Sequence, residues 1–147
     1  MNHFSVSSQS LESHMPSCAQ YSVDADSASG SFLPMFQVFE KGGQIRQADD
    51  QTAILMPSSF YLISYHFIAC PGSWKYFRVL PYINKTEALL YASFSPAASD
   101  GIASAAACFL TDKALSQPAS LNFRISYPES GKPFSITGAV SIAAYEA

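Results

Sequence analysis

From residue 32 onward the chain alternates short apolar runs with turn residues, at a spacing that suits strands. Runs rich in aromatic and β-branched residues predict strands over 32–39, 53–56, 60–69, 75–83, 88–94, 103–110, 120–126 and 136–145. Turn chemistry separates them: Gly42-Gly43, Pro57-Ser58-Ser59, Pro71-Gly72-Ser73, Asn84-Lys85-Thr86, the Ser- and Pro-containing stretch 95–101, and the stretch 127–131. Many short strands with a turn signal about every 8–12 residues describe a sandwich or barrel. One segment, the Ala-rich 102–115, competes as a helix. The alternation of Ala105, Ala107 and Phe109 and the breaker Gly101 favour a strand there.

The run 60–69 is apolar on both of its faces. One face carries Phe60, Leu62, Ser64, His66 and Ile68, and the other carries Tyr61, Ile63, Tyr65, Phe67 and Ala69. A strand of a two-sheet sandwich buries one face against the opposite sheet. The second apolar face therefore calls for another cover, and a neighbouring subunit is the economical one. Residues 1–30 differ in texture. They are rich in Ser, and residues 24–30 read as a linker, so a flexible N-terminal segment 1–30 and a folded domain 31–147 are expected.

Composition strengthens the case for self-association. Hydrophobic residues make up 48% of the 147 residues and charged ones 13%, against a soluble norm of roughly 25% charged. A domain of this size has too little interior to hide that apolar surplus, and an oligomer interface is the usual outlet. The net charge of −3 comes from 11 acidic and 8 basic residues scattered along the chain. Without a Lys/Arg cluster, nucleic acid is excluded as a partner. The long uncharged run 51–73 contains Pro57, several Ser residues and His66, and reads as strands, so no membrane insertion is expected. Residues 1–20 show neither a basic n-region nor an apolar h-region, and no signal peptide is read there. Cys18, Cys70 and Cys108 are odd in number and form no Cys-x-x-Cys pair. They read as free thiols, with no disulfide framework, zinc site or other cofactor.

Several segments resemble the tumour-necrosis-factor-like and complement-component-q-like jelly rolls. Gly42-Gly43 followed by the stretch 54–67, with Tyr65-His66 inside the central strand, is similar to that family's short strand, turn and Tyr-containing strand. The stretch 79–85 is similar to the following strand, which ends in an Asn turn, and 134–142 is similar to the closing strand with its small residue before an apolar run. In its Ala- and Ser-rich texture the chain looks most like the C-terminal domains of bacterial collagen-like exosporium glycoproteins. The resemblance covers roughly 32–147. The chain departs from the pattern at Ser58-Ser59 and Lys85, where Gly is usual, and in having no collagen-like stalk. The resemblance implies an all-β jelly-roll sandwich of two antiparallel sheets, a homotrimer, and a structural or adhesive head domain at a bacterial cell or spore surface that presents loops to a ligand. Alternation and position then make Tyr61, Tyr65, Phe67, Phe109 and Ile142 the expected trimer interface.

The chemical candidates are few. His66 is the sole histidine of the expected body, no Gly-x-Ser-x-Gly is present, and a structural histidine is the reading, so no enzyme is expected. Asp49-Asp50 offers oxygen ligands for calcium, but two adjacent acids do not converge on one ion, and no metal is expected. His3 and His14 fall in the N-terminal segment. Asn84-Lys85-Thr86 is a formal glycosylation sequon in a turn. Trp74 and Tyr76 are candidates for stacking on a sugar or other ligand. The rival functional reading is a carbohydrate- or receptor-binding module such as a phage fibre tip, with a glycan or protein ligand. An enzyme built around His66 comes third.

Overall fold

Strict alternation of large apolar residues organises the fold. The strand β5 (Ser59–Ala69) sends Tyr61, Ile63, Tyr65 and Phe67 into the core at 0–1% exposure, as expected for a side-chain period of two. Around it the computed structural model, which describes residues 16–72, 75–128 and 132–147, forms two antiparallel sheets.

The first sheet has five strands in the order β2 (Phe36–Lys41), β1 (Cys18–Ser27), β11 (Phe134–Glu146), β5 and β9 (Ala103–Leu110). In the second, β3 (Ile45–Asp49), β4 (Thr52–Leu55), β10 (Ala119–Ser126), β6 (Tyr76–Ile83) and β7 (Thr86–Glu87) follow one another, and β8 (Ser93–Pro96) also pairs with β6. The sheets face each other across a core whose centre is aromatic. Phe123 of β10 lies edge-on to Tyr65 and Phe67 of β5, with ring centroids 5.2 and 5.8 Å apart. Buried hydroxyls are anchored on backbone. Tyr65 donates to the Tyr91 carbonyl at 2.7 Å and Tyr127 to the Ser27 carbonyl at 2.8 Å, so burial leaves neither group unsatisfied.

Most expected strands are present within a residue or two, and 103–110 forms β9 as expected, with no helix. Three expectations need correction. The segment 1–30 was expected to be flexible, with the fold beginning at Ser31. Instead β1 sits between β2 and β11, paired with β11 from Cys18↔Ala143 to Ser27↔Phe134. Its inward residues Ala19, Tyr21 and Val23 are buried, and only its outward positions are Ser-, Gln- and Asp-rich. Residues 1–15, which include His3 and His14, lie outside the described residues. The expected strand 32–39 is a single bridge, Phe32↔Arg124, followed by β2. The expected strand 88–94 contains a 3-10 turn, Leu89–Tyr91, before β8. That turn brings the Tyr91 ring flat against Phe109, with centroids 4.0 Å apart.

Two tight turns sit where the chain departs from glycine. Asn84 and Lys85 link β6 to β7 as a two-residue hairpin, with φ of 52° and 62°. Ser58, just before β5, has φ of 71°. Both turns need the left-handed region, which glycine enters freely and L-residues enter at a cost.

Candidate functional site

The five-stranded sheet has an outer face, and its chemistry is unusual. Along β5 the outward residues are Phe60, Leu62, Ser64, His66 and Ile68. Register places Leu62 between Ala143 of β11 and Leu110 of β9, and His66 between Ala139 and Ala106. Outward positions of β11 from Ser135 to Tyr145, of β5 and of β9 include no Asp, Glu, Lys or Arg. Phe60, Ile68, Leu110 and Tyr145 are 36–55% exposed. Between these larger side chains lie Ala and Ser, which let another surface approach the backbone closely. Charges return on the adjoining strands, with Asp24 and Asp26 of β1 beside Thr137 and Ser135 of β11, and Lys41 of β2. On the opposite sheet the outward positions include Arg46, Arg78, Glu87 and Arg124. The two broad faces of the sandwich therefore differ in kind.

The expected interface residues lie on the other side of this sheet. Tyr61, Tyr65, Phe67, Phe109 and Ile142 are all inside the protomer, at 0–7% exposure, packed between the two sheets. The expected alternation is present, and the face that carries these residues turns to the core. Both faces of β5 are apolar, and the aromatic face is the one that meets β10 and β6. Phe60, Leu62, His66 and Ile68, which were not among the expected interface residues, form the outward face of β5. The signal available for them was the same alternation, together with the absence of charge on that face.

Burial also sets the acid–base behaviour of the core tyrosines. Burial first, then the Glu40 carboxylate that accepts its hydroxyl at 2.7 Å, pushes the Tyr21 hydroxyl far above the ordinary phenol range. Burial likewise raises Tyr61 and Tyr65. None of these groups borders open solvent as an acid or base would need to.

The remaining candidates resolve as follows. His66 is exposed, and its Nε2 lies 2.9 Å from the Ser104 hydroxyl on the open outer face. Its cross-strand neighbours are Ala106 and Ala139, so directly beside it no carboxylate orients the ring as a catalytic triad would require. The Asp49 carboxylate accepts the Gln51 amide at 2.8 Å and closes the β3–β4 turn, and these hydrogen bonds hold it below the usual carboxylate range. Tyr76 is 37% exposed, and its ring lies 5.3 Å from that of Phe94, itself 64% exposed. Trp74 lies outside the described residues. Cys18, Cys70 and Cys108 are all free. Ser64 faces Cys108, and Cys70 follows the far end of β5, so the two thiols sit at different levels of the strand pair, as expected.

No family model and no curated protein matches the chain. Solved structures do. Murine APRIL superposes with a TM-score of 0.63 at 12% identity, covering 86% of this chain and 98% of that one. The globular domain of zebrafish complement 1qA gives 0.63 at 6% identity, covering 90% and 100%. Eiger TNF from S. frugiperda gives 0.64 at 10% identity, covering 90% and 96%. The molecule is an all-β jelly roll of two antiparallel sheets. Its fold is the TNF-like and C1q-like one that the strand pattern resembles.

Proposed function

We propose that this chain is a non-catalytic head domain that self-associates as a homotrimer through the outer face of its five-stranded sheet, at a bacterial cell or spore surface. The observation that carries the reading is the uncharged outer face of β11, β5 and β9, set against a charged outer face on the opposite sheet. The three uncharged strands, at about 4.8 Å spacing and about ten residues at 3.3 Å rise, make a flat area of roughly 480 Å2. A standard stable interface takes about 800 Å2 from each partner, so this face supplies more than half of one. A second copy suits the face because like meets like there without burying a charge. The threefold stoichiometry and the surface location follow the resemblance to the jelly-roll family.

Sedimentation equilibrium at micromolar concentration tests the reading, with a trimer expected. Leu62→Asp changes a half-buried outward residue and is expected to give a folded monomer. Tyr65→Asp places a carboxylate in the protomer core and is expected to unfold the chain. A wild-type monomer, or a Leu62→Asp variant that still forms the trimer, would sink the proposal.

A further inference from the structure

On the sheet opposite the self-association face, a cavity of about 370 Å3 opens over the pairing of β6 with β10. Its size is that of a small-molecule site. Two arginines line it from adjacent strands. Arg124 faces Leu80 across the pair, and Arg78 faces Ser126 one step along the same outward surface. The Arg124 guanidinium is held in place, donating from Nε to the Gly30 carbonyl at 2.9 Å and from Nη1 to the Tyr82 hydroxyl at 3.1 Å. Among the described residues, no hydrogen bond or ion pair engages the Arg78 side chain. Glu87 also lines the cavity, and its carboxylate is held by the Tyr82 hydroxyl at 2.9 Å. On the other side of β6, Phe94 stands directly opposite Arg78, 64% exposed and beside the Tyr76 ring.

We infer that this cavity binds a carboxylate-bearing sugar. The inference deepens the head-domain reading by naming its ligand class, and it uses a surface that self-association leaves open. A planar guanidinium presents a fork of N–H donors that matches a carboxylate, and among the described residues nothing engages the fork of Arg78. Glu87 accepts from sugar hydroxyls, which donate as well as accept, so its presence suits a polyhydroxylated acid better than a bare anion. Phe94, outside the cavity lining but paired with Arg78 across β6 and β8, offers an exposed apolar ring on which a pyranose face can stack. A chain of carboxylates, such as an acidic peptide, would place further negative charge near Glu87.

Ligand-detected and chemical-shift NMR titration of the full chain tests this, with 3′-sialyllactose, a glucuronate-terminated disaccharide, lactose and tetraglutamate as probes. At least one acidic sugar is expected to bind and lactose is expected not to. Arg78→Ala removes a side chain without a hydrogen-bond partner among the described residues and is expected to weaken binding about tenfold to a hundredfold, the scale of a hydrogen bond to a charged group. Arg78→Lys keeps the charge without the fork and is expected to recover part of the loss. Failure of both acidic sugars at millimolar concentration overturns the inference. So does equal binding of lactose, tighter binding of tetraglutamate, or an Arg78→Ala variant that binds like the wild type. Sedimentation of the same samples separates the two proposals. Arg78→Ala is expected to remain a trimer, and a monomer that still binds acidic sugar would refute self-association alone.

Discussion

Gly138 forms the third pair from the Ala69 end of the β11–β5 pairing, the longest in the molecule, where it stands opposite Phe67. A Cβ at this position would sit 1.9 Å from the His66 carbonyl oxygen, 2.8 Å from the Phe67 ring and 2.9 Å from the His66 carbonyl carbon. Two of those atoms are backbone, so no rotamer change relieves the contact. The strands must part by more than an ångström, which disturbs local ladder bonds and pulls Phe67 off Phe123. Overpacking of this kind costs about 1–3 kcal/mol, and each weakened hydrogen bond costs about 1 kcal/mol more. The smaller unfolded-state entropy of Ala returns about 0.4–1 kcal/mol. Gly138→Ala is therefore expected to lose about 2–4 kcal/mol. For a domain of this size that lowers the thermal midpoint by roughly 6–12 °C. Urea unfolding followed by circular dichroism measures the loss directly, and an unchanged m-value would locate the effect in the native state. A midpoint within about a degree of wild type would show that β11 and β5 are not in close contact at this level, and the register would have to be redrawn.

The hairpin turn gives the opposite sign: Lys85→Gly relieves a left-handed residue and is expected to stabilise by about 0.5–1 kcal/mol in the same assay, with a destabilised variant counting against the turn geometry. A chain starting at Ser31 loses β1, with Tyr21 and Val23 from the core at about 1.5–3 kcal/mol each and the pairing on both sides. That loss is comparable to a total stability of roughly 5–15 kcal/mol, and the truncated chain is expected to be unfolded by circular dichroism; a cooperative melt would show β1 to be dispensable. Burial raises Tyr21, Tyr61 and Tyr65 above the 10.0 of a free phenol. Their contribution is full below pH 10 and lost as pH rises above it, because the unfolded chain releases those protons first. Alkaline titration is expected to show tyrosinate absorbance from these three residues appearing together with unfolding, and ionisation without unfolding would contradict their burial.

The legible parts of the fold share one property, a side-chain alternation strong enough to survive any context. The strands β5, β9, β10 and β11 have it, and they were placed within about two residues by period-two patterning. The strand β1 has the alternation too, in Ala19, Tyr21 and Val23, but its outward Gln20, Ser22, Asp24 and Asp26 and the Ser-rich flank gave it the composition of a linker. The 3-10 turn at Leu89–Tyr91 carried no local signal against a strand. Its conformation follows from Tyr91 stacking on Phe109, a partner from another part of the chain.

The amino-acid sequence by itself determined the class of architecture, the sparse charge, the free thiols and the presence of one apolar face more than a lone sandwich needs. A period of two has no sign, so it could not say which face of β5 turns inward. Only the tertiary structure decided that, because Phe123, Val79 and Phe77 of the opposite sheet fill the space above Tyr65 and Phe67 and leave Leu62, His66 and Ile68 to the outside. The same holds for the arginines. Arg78 and Arg124 are 46 positions apart along the chain, and only the pairing of β6 with β10 places both over one cavity.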